Sequence, residues 1–286
     1  MRFFNFSKMN GAGNDFIIVD NLAEDQPVLS SEDIITLCNR KKGVGADGLL
    51  ILNRGEETPV SVDFYNADGK RGSLCGNGAR CVIRYCSGKG LMDGVDLRFR
   101  FGEKVYSGTI DDNGLPVFFM ARPAKLKTAF RIKARGSLIT SHYCDTGSPH
   151  VIINIEDVPL DPKNPFTGFS ELEGFPVLDL GREIRHHNDF APGGVNVNFV
   201  KYIDKNSLEI RTFERGVEDE TDACGTGSTA AAIVFFALGK CEPPVNLKTK
   251  SGDTLTINFE IIDNKLENLS LTGPAEINFH GTVGLK

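Results

Sequence analysis

The sequence predicts an α+β protein built from two similar halves, and three observations carry that prediction. Short β-branched and aromatic runs outnumber the helical patterns and do not alternate with them as a doubly wound sheet requires. A block of strand, turn and Cys-Gly-x-Gly occurs twice, 149 residues apart. The chain has 286 residues, 40% hydrophobic and 24% charged, enough for two modest domains and too ordinary in composition for wholesale disorder.

The N-terminal Met1–Lys8 alternates in the manner of a first strand and lacks the apolar core and cleavage site of an export signal. Phe16–Val19 is the next β-run. Ser30 and Ser31 can cap a helix running to about Asn39, with Arg40-Lys41-Lys42 at the end where cations suit the helix dipole. Leu49–Leu52 and Val60–Tyr65 read as strands, and Ala79–Ser87 as an apolar, largely buried helix. Asp112-Asn113-Gly114 between Tyr106–Ile110 and Val117–Met120 is a hairpin signal. Val151–Ile153 and Val195–Val200 are further strands, Leu178–His186 a weaker helix, Ser228–Leu238 an apolar helix and Leu255–Phe259 a late strand.

The repeat sets Ser61–Asn66 above Ile210–Arg215 and, at the same offset of 149, Cys75-Gly76-Asn77-Gly78 above Cys224-Gly225-Thr226-Gly227. Upstream, Gly13–Ile18 and Gly147–Ile152 both put a turn before a β-run, at an offset of 134. A period of about half the chain means duplicated domains rather than a solenoid. The expected halves are residues 1–121, joined by a C-terminal strand at about 273–286 and carrying Cys75, and residues 122–272 carrying Cys224.

Composition excludes several classes. Lys and Arg number 32 against 38 Asp and Glu, a net charge of −6, opposite in sign to a protein that coats phosphate backbones, so no nucleic-acid partner is expected. No run approaches the ~18 apolar residues of a membrane span. Seven cysteines without an export signal point to reduced thiols in a cytoplasm. Gly43-Val44-Gly45-Ala46-Asp47-Gly48 matches Gly-x-Gly-x-x-Gly but follows a helix and opens a strand, the reverse of a dinucleotide fingerprint. Neither the cysteine spacings nor His186-His187 fits a metal-ligand pattern, so no metal is expected.

A cysteine just before a helix meets unpaired N–H groups and partial positive charge, which favour thiolate. The glycines that follow let bare amides approach an anion. Two such blocks in mirrored halves suit inversion at a carbon acid: one thiolate removes a proton from one face, the other thiol returns one to the opposite face, and amide dipoles hold the carboxylate of the carbanion. Two facing thiols also admit a redox reading, a dithiol cycling with a disulfide. Cys38, Cys81, Cys86, Cys144 and Cys241 have no comparable setting and read as packing residues.

From Lys8–Phe16 to the C-terminal strand the chain resembles the diaminopimelate epimerases. The most specific pieces are Asn66-Ala67-Asp68-Gly69, Cys75–Arg80, Phe213-Glu214-Arg215-Gly216 and Ala223–Gly227. The resemblance implies two α/β halves, each a curved, mostly antiparallel sheet around a central helix, with the active site in the cleft between them. It implies interconversion of LL- and meso-2,6-diaminopimelate, on the route to lysine and peptidoglycan, without pyridoxal phosphate, metal or any other cofactor. Cys75 takes the proton of the LL isomer and Cys224 that of the meso isomer. Gly76, Asn77, Gly225 and Thr226 surround the reacting carboxylate. Asn14, Asn66, Asn196, Glu214 and Arg215 position the rest of the substrate, Arg215 clamping the distal carboxylate and Glu214 pairing with an ammonium. Ser148 and His150 are candidate supports. The family's dimers make a homodimer a candidate assembly.

The chain departs from the commonest family pattern in three places. Ser148 stands where an asparagine is frequent, Gly48 where a glutamine is frequent, and the loop Gly216–Thr221 is one residue longer. These departures keep a racemase or epimerase for a different amino acid, on the same scaffold, as the alternative.

Overall fold

The computed structural model describes residues 1–23, 26, 28–72, 76–92, 95–161 and 163–285. It is an α+β structure dominated by strands, with four α-helices among the described residues, none long and apolar enough to cross a membrane. The chain divides into two compact units, Met1–Met120 with Thr272–Lys286, and Ala121–Leu271.

The first unit opens with strands β1 (Arg2–Gly11) and β2 (Asn14–Asn21), then helix α1 (Ser31–Cys38), β3 (Gly48–Arg54), β4 (Val60–Asn66), helix α2 (Gly76–Gly88), β5 (Asp96–Phe101), β6 (Lys104–Ile110) and β7 (Pro116–Phe119). β1 and β2 pair antiparallel through a two-residue loop, Ala12-Gly13, with φ of 58° and 95°. Positive φ at both loop positions matches the right-handed twist of the flanking strands. β2 and β3 run parallel with α1 in their crossover, β3 and β4 antiparallel, β4 and β5 parallel, and β5, β6 and β7 as an antiparallel meander. Ser30 and Asp33 form a reciprocal capping box on α1, and Arg2 grips Asp33 with bonds of 2.9 and 2.8 Å. Helix α2 buries Ala79, Cys81, Val82, Ile83, Tyr85 and Cys86 and packs against β1, β6 and β7. Gly11 permits that approach: a Cβ there would stand 2.9 Å from the Asn77 carbonyl and 3.2 Å from Cys81 Sγ.

The second unit runs β8 (Lys125–Ala134), β9 (Ser137–Asp145), β10 (Pro149–Asn154), a small ribbon of β11 (Pro159–Asp161) and β12 (Asn164–Gly168), α3 (Val177–Arg185), β13 (Asn196–Asp204), β14 (Ser207–Glu214), β15 (Asp219–Thr221), α4 (Gly225–Ala237), β16 (Val245–Lys248), β17 (Thr254–Ile262) and β18 (Lys265–Thr272). β9 and β10 pair antiparallel, β10 and β13 parallel with α3 in the crossover, β13 and β14 antiparallel, β14 and β16 parallel, and β16 and β17 antiparallel. α4 is apolar all round and correspondingly buried, packing against β9, β10, β13 and β17. α3 seats Val177, Leu180 and Ile184 on a core that includes Phe175, Phe199 and Phe213. The last strand, β19 (Glu276–Leu285), returns to the first unit and pairs antiparallel with β1.

The helices expected at Ala79–Ser87 and Ser228–Leu238 begin earlier than expected, because the glycines of both Cys-Gly-x-Gly blocks belong to the first helical turn. The β8–β9 hairpin and the β11–β12 ribbon had no distinct sequence signal.

Candidate functional site

In the second unit the site assembles around the start of α4. Cys224 is the N-cap residue, with extended backbone (φ −123°, ψ 107°), so it sits where unpaired amides point outward. It is 8% exposed. Gly225 and Gly227 are buried beside it, while Thr226 is half-buried and places Oγ1 3.5 Å from Cys224 Sγ. Gly227 is obligatory here: a Cβ would overlap Asn198 Oδ1 and come 3.3 Å from Cys224 Sγ.

Strand β10 delivers the next layer. His150 Nε2 lies 3.0 Å from Thr226 Oγ1 and 2.9 Å from Ser148 Oγ, and the two hydroxyls are 3.3 Å apart. Thr146 Oγ1 donates to the Thr226 carbonyl at 2.9 Å and pins the loop to the helix start. His150 is fully buried, and burial, aided by the positive charge of Arg215, pushes its pKa down to about 3. The imidazole is therefore neutral at physiological pH. Parallel pairing of β10 with β13 sets His150 beside Asn196 and brings Asn198 Nδ2 to 3.1 Å from His150 Nδ1.

Asn196 bridges strands: Nδ2 donates to the Pro149 carbonyl at 3.0 Å and Oδ1 accepts the Arg215 backbone N–H at 2.8 Å. Glu214 Oε2 accepts from Thr221 Oγ1 at 2.9 Å. The second unit thus brings Cys224, Gly225, Thr226, Ser148 and His150 into one cluster and ties Asn196 to Arg215.

In the first unit Cys75 lies outside the described residues. Gly76 and Asn77 form the buried start of α2, and Asn77 Nδ2 donates to Asn14 Oδ1 at 2.6 Å. Asn14 Nδ2 donates in turn to Asp47 Oδ2 at 3.1 Å. Arg40 takes Asp15 in a two-point grip of 2.9 and 2.8 Å and reaches Asp47 at 2.6 Å, while Lys8 Nζ meets Asp15 at 2.6 Å and also donates to the Gly45 carbonyl. Burial alone raises the Asp15 carboxyl, but the hydrogen bonds from Arg40 and Lys8 outweigh it and hold the pKa at about 2. Asn66 is exposed at the end of β4. At Gly48 a Cβ would run into Phe64 and stand 2.8 Å from the Tyr65 carbonyl, so the backbone leaves no room for a longer side chain there.

Sequence reasoning missed Asn198, Thr212, Thr146, Asp15, Asp47 and Arg40. Asn198 had a signal: Asn196-x-Asn198 places two amides on one face of an otherwise apolar strand. The Lys8–Asp15–Arg40–Asp47 cluster had none, since Arg40, beyond the end of α1, and Asp47, just before β3, reach Asp15 only through the fold, while Lys8 meets it across the β1–β2 hairpin.

Comparisons with known proteins agree on one family. The family model described as "Diaminopimelate epimerase" matches residues 6–127 and 142–278. A diaminopimelate epimerase from Chlorobaculum tepidum is 37% identical over 279 residues, covering 97% of this chain and 100% of that protein. One from Aquifex aeolicus is 35% identical over 288 residues, covering 97% of each. Among solved structures, a PhzF-family phenazine biosynthesis protein from Bacillus anthracis superposes with a TM-score of 0.70 at 15% identity over 100% of both chains. A hydroxyproline epimerase from Agrobacterium vitis does so with 0.67 at 14% identity, covering 99% of this chain and 94% of that one. At these identities the two structures establish likeness of fold.

Proposed function

The chain belongs to the diaminopimelate epimerase family and is an isomerase, and from that premise we propose that it interconverts LL- and meso-2,6-diaminopimelate by two-thiol acid/base chemistry. The observation that carries the proposal is Cys224 at the N-cap of α4, with buried glycines on both sides of Thr226 and a hydroxyl 3.5 Å from its sulfur. That setting favours thiolate and offers amides to a carboxylate. Cys75 is assigned the matching role from the sequence repeat.

On the LL isomer, the Cys75 thiolate removes the α-proton. The amides at Gly76-Asn77 and Gly225-Thr226 hold the carboxylate as charge develops, and the Cys224 thiol gives a proton to the opposite face. The reverse reaction exchanges the roles, and no step calls for a cofactor. Asn14, Asn66, Asn196, Glu214 and Arg215 hold the distal end and the ammonium groups. Ser148 and His150 support the Thr226 hydroxyl. We read the two units as duplicated halves, each wrapping its sheet around α2 or α4, with the substrate between them. Support comes from the order of pairings, antiparallel, parallel, antiparallel, then helix, in β1–β4 with α2 and again in β9–β14 with α4. A cytoplasmic location belongs to this reading and a homodimer is its candidate assembly, which cell fractionation and sedimentation equilibrium on the purified chain respectively check.

The test is α-hydrogen exchange in deuterated water with reducing agent and no added cofactor, offering LL-diaminopimelate beside proline, hydroxyproline, glutamate, lysine and histidine. Exchange with inversion on diaminopimelate, abolished by Cys75→Ala and by Cys224→Ala, is expected. Exchange on another amino acid alone keeps the thiols and moves the substrate, an outcome that the occupied Ser148 hydroxyl makes worth measuring. Full turnover in either cysteine variant refutes the two-thiol mechanism.

A further inference from the structure

Asn198 is buried on β13, and its amide bears on where one proton sits. Its amide has one possible orientation. The Val151 carbonyl, 3.0 Å from Asn198 Nδ2, can only accept, so nitrogen must face it, and Oδ1 then accepts from Thr212 Oγ1 at 3.0 Å. The second hydrogen of the same Nδ2 points to His150 Nδ1 at 3.1 Å. His150 is neutral and fully buried, so an accepting Nδ1 leaves the ring proton on Nε2. With Nε2 a donor, neither Ser148 Oγ nor Thr226 Oγ1 can donate to the ring. The Thr226 proton is released toward the remaining acceptors, of which the Cys224 thiolate is the charged one.

We propose that Asn198 is a positioning residue that locks His150 in its Nε2–H tautomer, so that the Thr226 hydroxyl donates to Cys224 Sγ and stabilises the thiolate. This rests on the acid/base reading of Cys224 and adds what prepares that sulfur for it. Thr212 completes the chain by fixing the Asn198 amide. Arg215 is the charged side chain whose field reaches His150, and Asp145 and Glu214 lie on the strands β9 and β14.

Two measurements on the full-length chain test the proposal. The first is the ring nitrogen spectrum of histidine-labelled protein, where His150 is expected as a neutral Nε2–H ring through neutral pH. An Nδ1–H ring overturns the proposal outright. The second is the pH dependence of iodoacetamide alkylation, resolved for Cys224 by peptide mass mapping. Thr226→Val removes the donor and is expected to raise the midpoint by about 1 pH unit, the weight of a hydrogen bond to a charged group. Thr226→Ser keeps the hydroxyl and is expected to restore the wild-type midpoint. Asn198→Asp reverses the polarity facing Nδ1, so the spectrum changes tautomer and the midpoint rises as in Thr226→Val, with no further rise in the double variant. An unmoved midpoint in Thr226→Val overturns the proposal even where Asn198→Asp fails to fold. Should wild-type protein exchange no α-hydrogen on any amino acid while these thiol results hold, the acid/base reading fails and the wiring stands.

Discussion

Gly227→Ala is the sharpest single perturbation of the second unit's site, because it adds one methyl group and removes nothing. The new Cβ would overlap Asn198 Oδ1 and press on Cys224 Sγ from 3.3 Å. Restoring an ordinary C···O separation of roughly 3.3 Å requires a displacement on the order of 1 Å. Asn198 is fully buried and held by Val151, Thr212 and His150, so it cannot swing aside without breaking those bonds. The strain is therefore shared with the sulfur. Overpacking costs about 1–3 kcal/mol, and replacing a helical glycine returns about 1 kcal/mol, so the net loss of stability is small, about 0–2 kcal/mol. Activity is more sensitive, since a misplacement of about 1 Å costs on the order of 100-fold. The assay is kcat/KM for α-hydrogen exchange on diaminopimelate, with a thermal melt of the same sample. A variant that melts within a few degrees of wild type and has lost about two orders of magnitude in kcat/KM agrees with the geometry. Unchanged kcat/KM would falsify the claim that the contact of Gly227 with Asn198 and Cys224 sets the sulfur's position.

The other predictions concern the surroundings. Burial, reinforced by Asp20 and Asp145 respectively, pushes Cys86 and Cys144 up to about 12, and burial pushes Cys38 and Cys241 up to about 11. Brief alkylation of native protein near neutral pH should therefore leave these four unmodified while Cys224 reacts, and labelling of Cys144 at the rate of Cys224 would contradict it. Asp15, held at about 2 against its ordinary 3.8, stabilises the folded first unit above that ordinary value. The contribution is lost as pH falls from about 4 through about 2, so Asp15→Asn should flatten the urea midpoint against pH in that window; an unchanged slope argues against it. Ser30→Ala removes a cap from α1 and should cost about 1 kcal/mol in denaturant unfolding without touching kcat, and a loss of kcat would tie α1 to the chemistry.

What was legible in the sequence follows from what is local. Ser30 with Asp33 three positions on is a cap in any fold, and α1 begins beside it. Asp112-Asn113-Gly114 made the β6–β7 hairpin readable because the turn and both strands are contiguous. The apolar stretches of α2 and α4 were readable as helices, yet their first turns were not, since Gly-Asn-Gly and Gly-Thr-Gly have poor helix propensity and are helical only where tertiary packing holds them. Thr226, Ser148 and His150 were named individually, but their meeting needs β10 to lie beside the start of α4, a non-local contact. The same reason hid Asn198 and Thr212, which face each other only through the β13–β14 register.

The two helix starts also differ in the physics that holds them, although their backbone motif repeats. Asn77 is tied through Asn14 to an ionic cluster of Asp47, Arg40, Asp15 and Lys8, and Arg40 is 58% exposed at its side chain. Salt screens such a cluster in proportion to its exposure, and acid dismantles it through Asp15. The start of α4 is tied instead to hydroxyls, an amide and a neutral, buried imidazole. Among those bonds salt has little to act on, and His150 stays neutral through the physiological range. The repeated Cys-Gly-x-Gly motif thus has different support behind each copy. High salt, or a pH lowered below about 4, should accordingly loosen the start of α2 before the start of α4, which hydrogen exchange at the Asn77 and Thr226 amides can resolve, and equal deprotection of both would show that the ionic cluster carries no share of the first site's order.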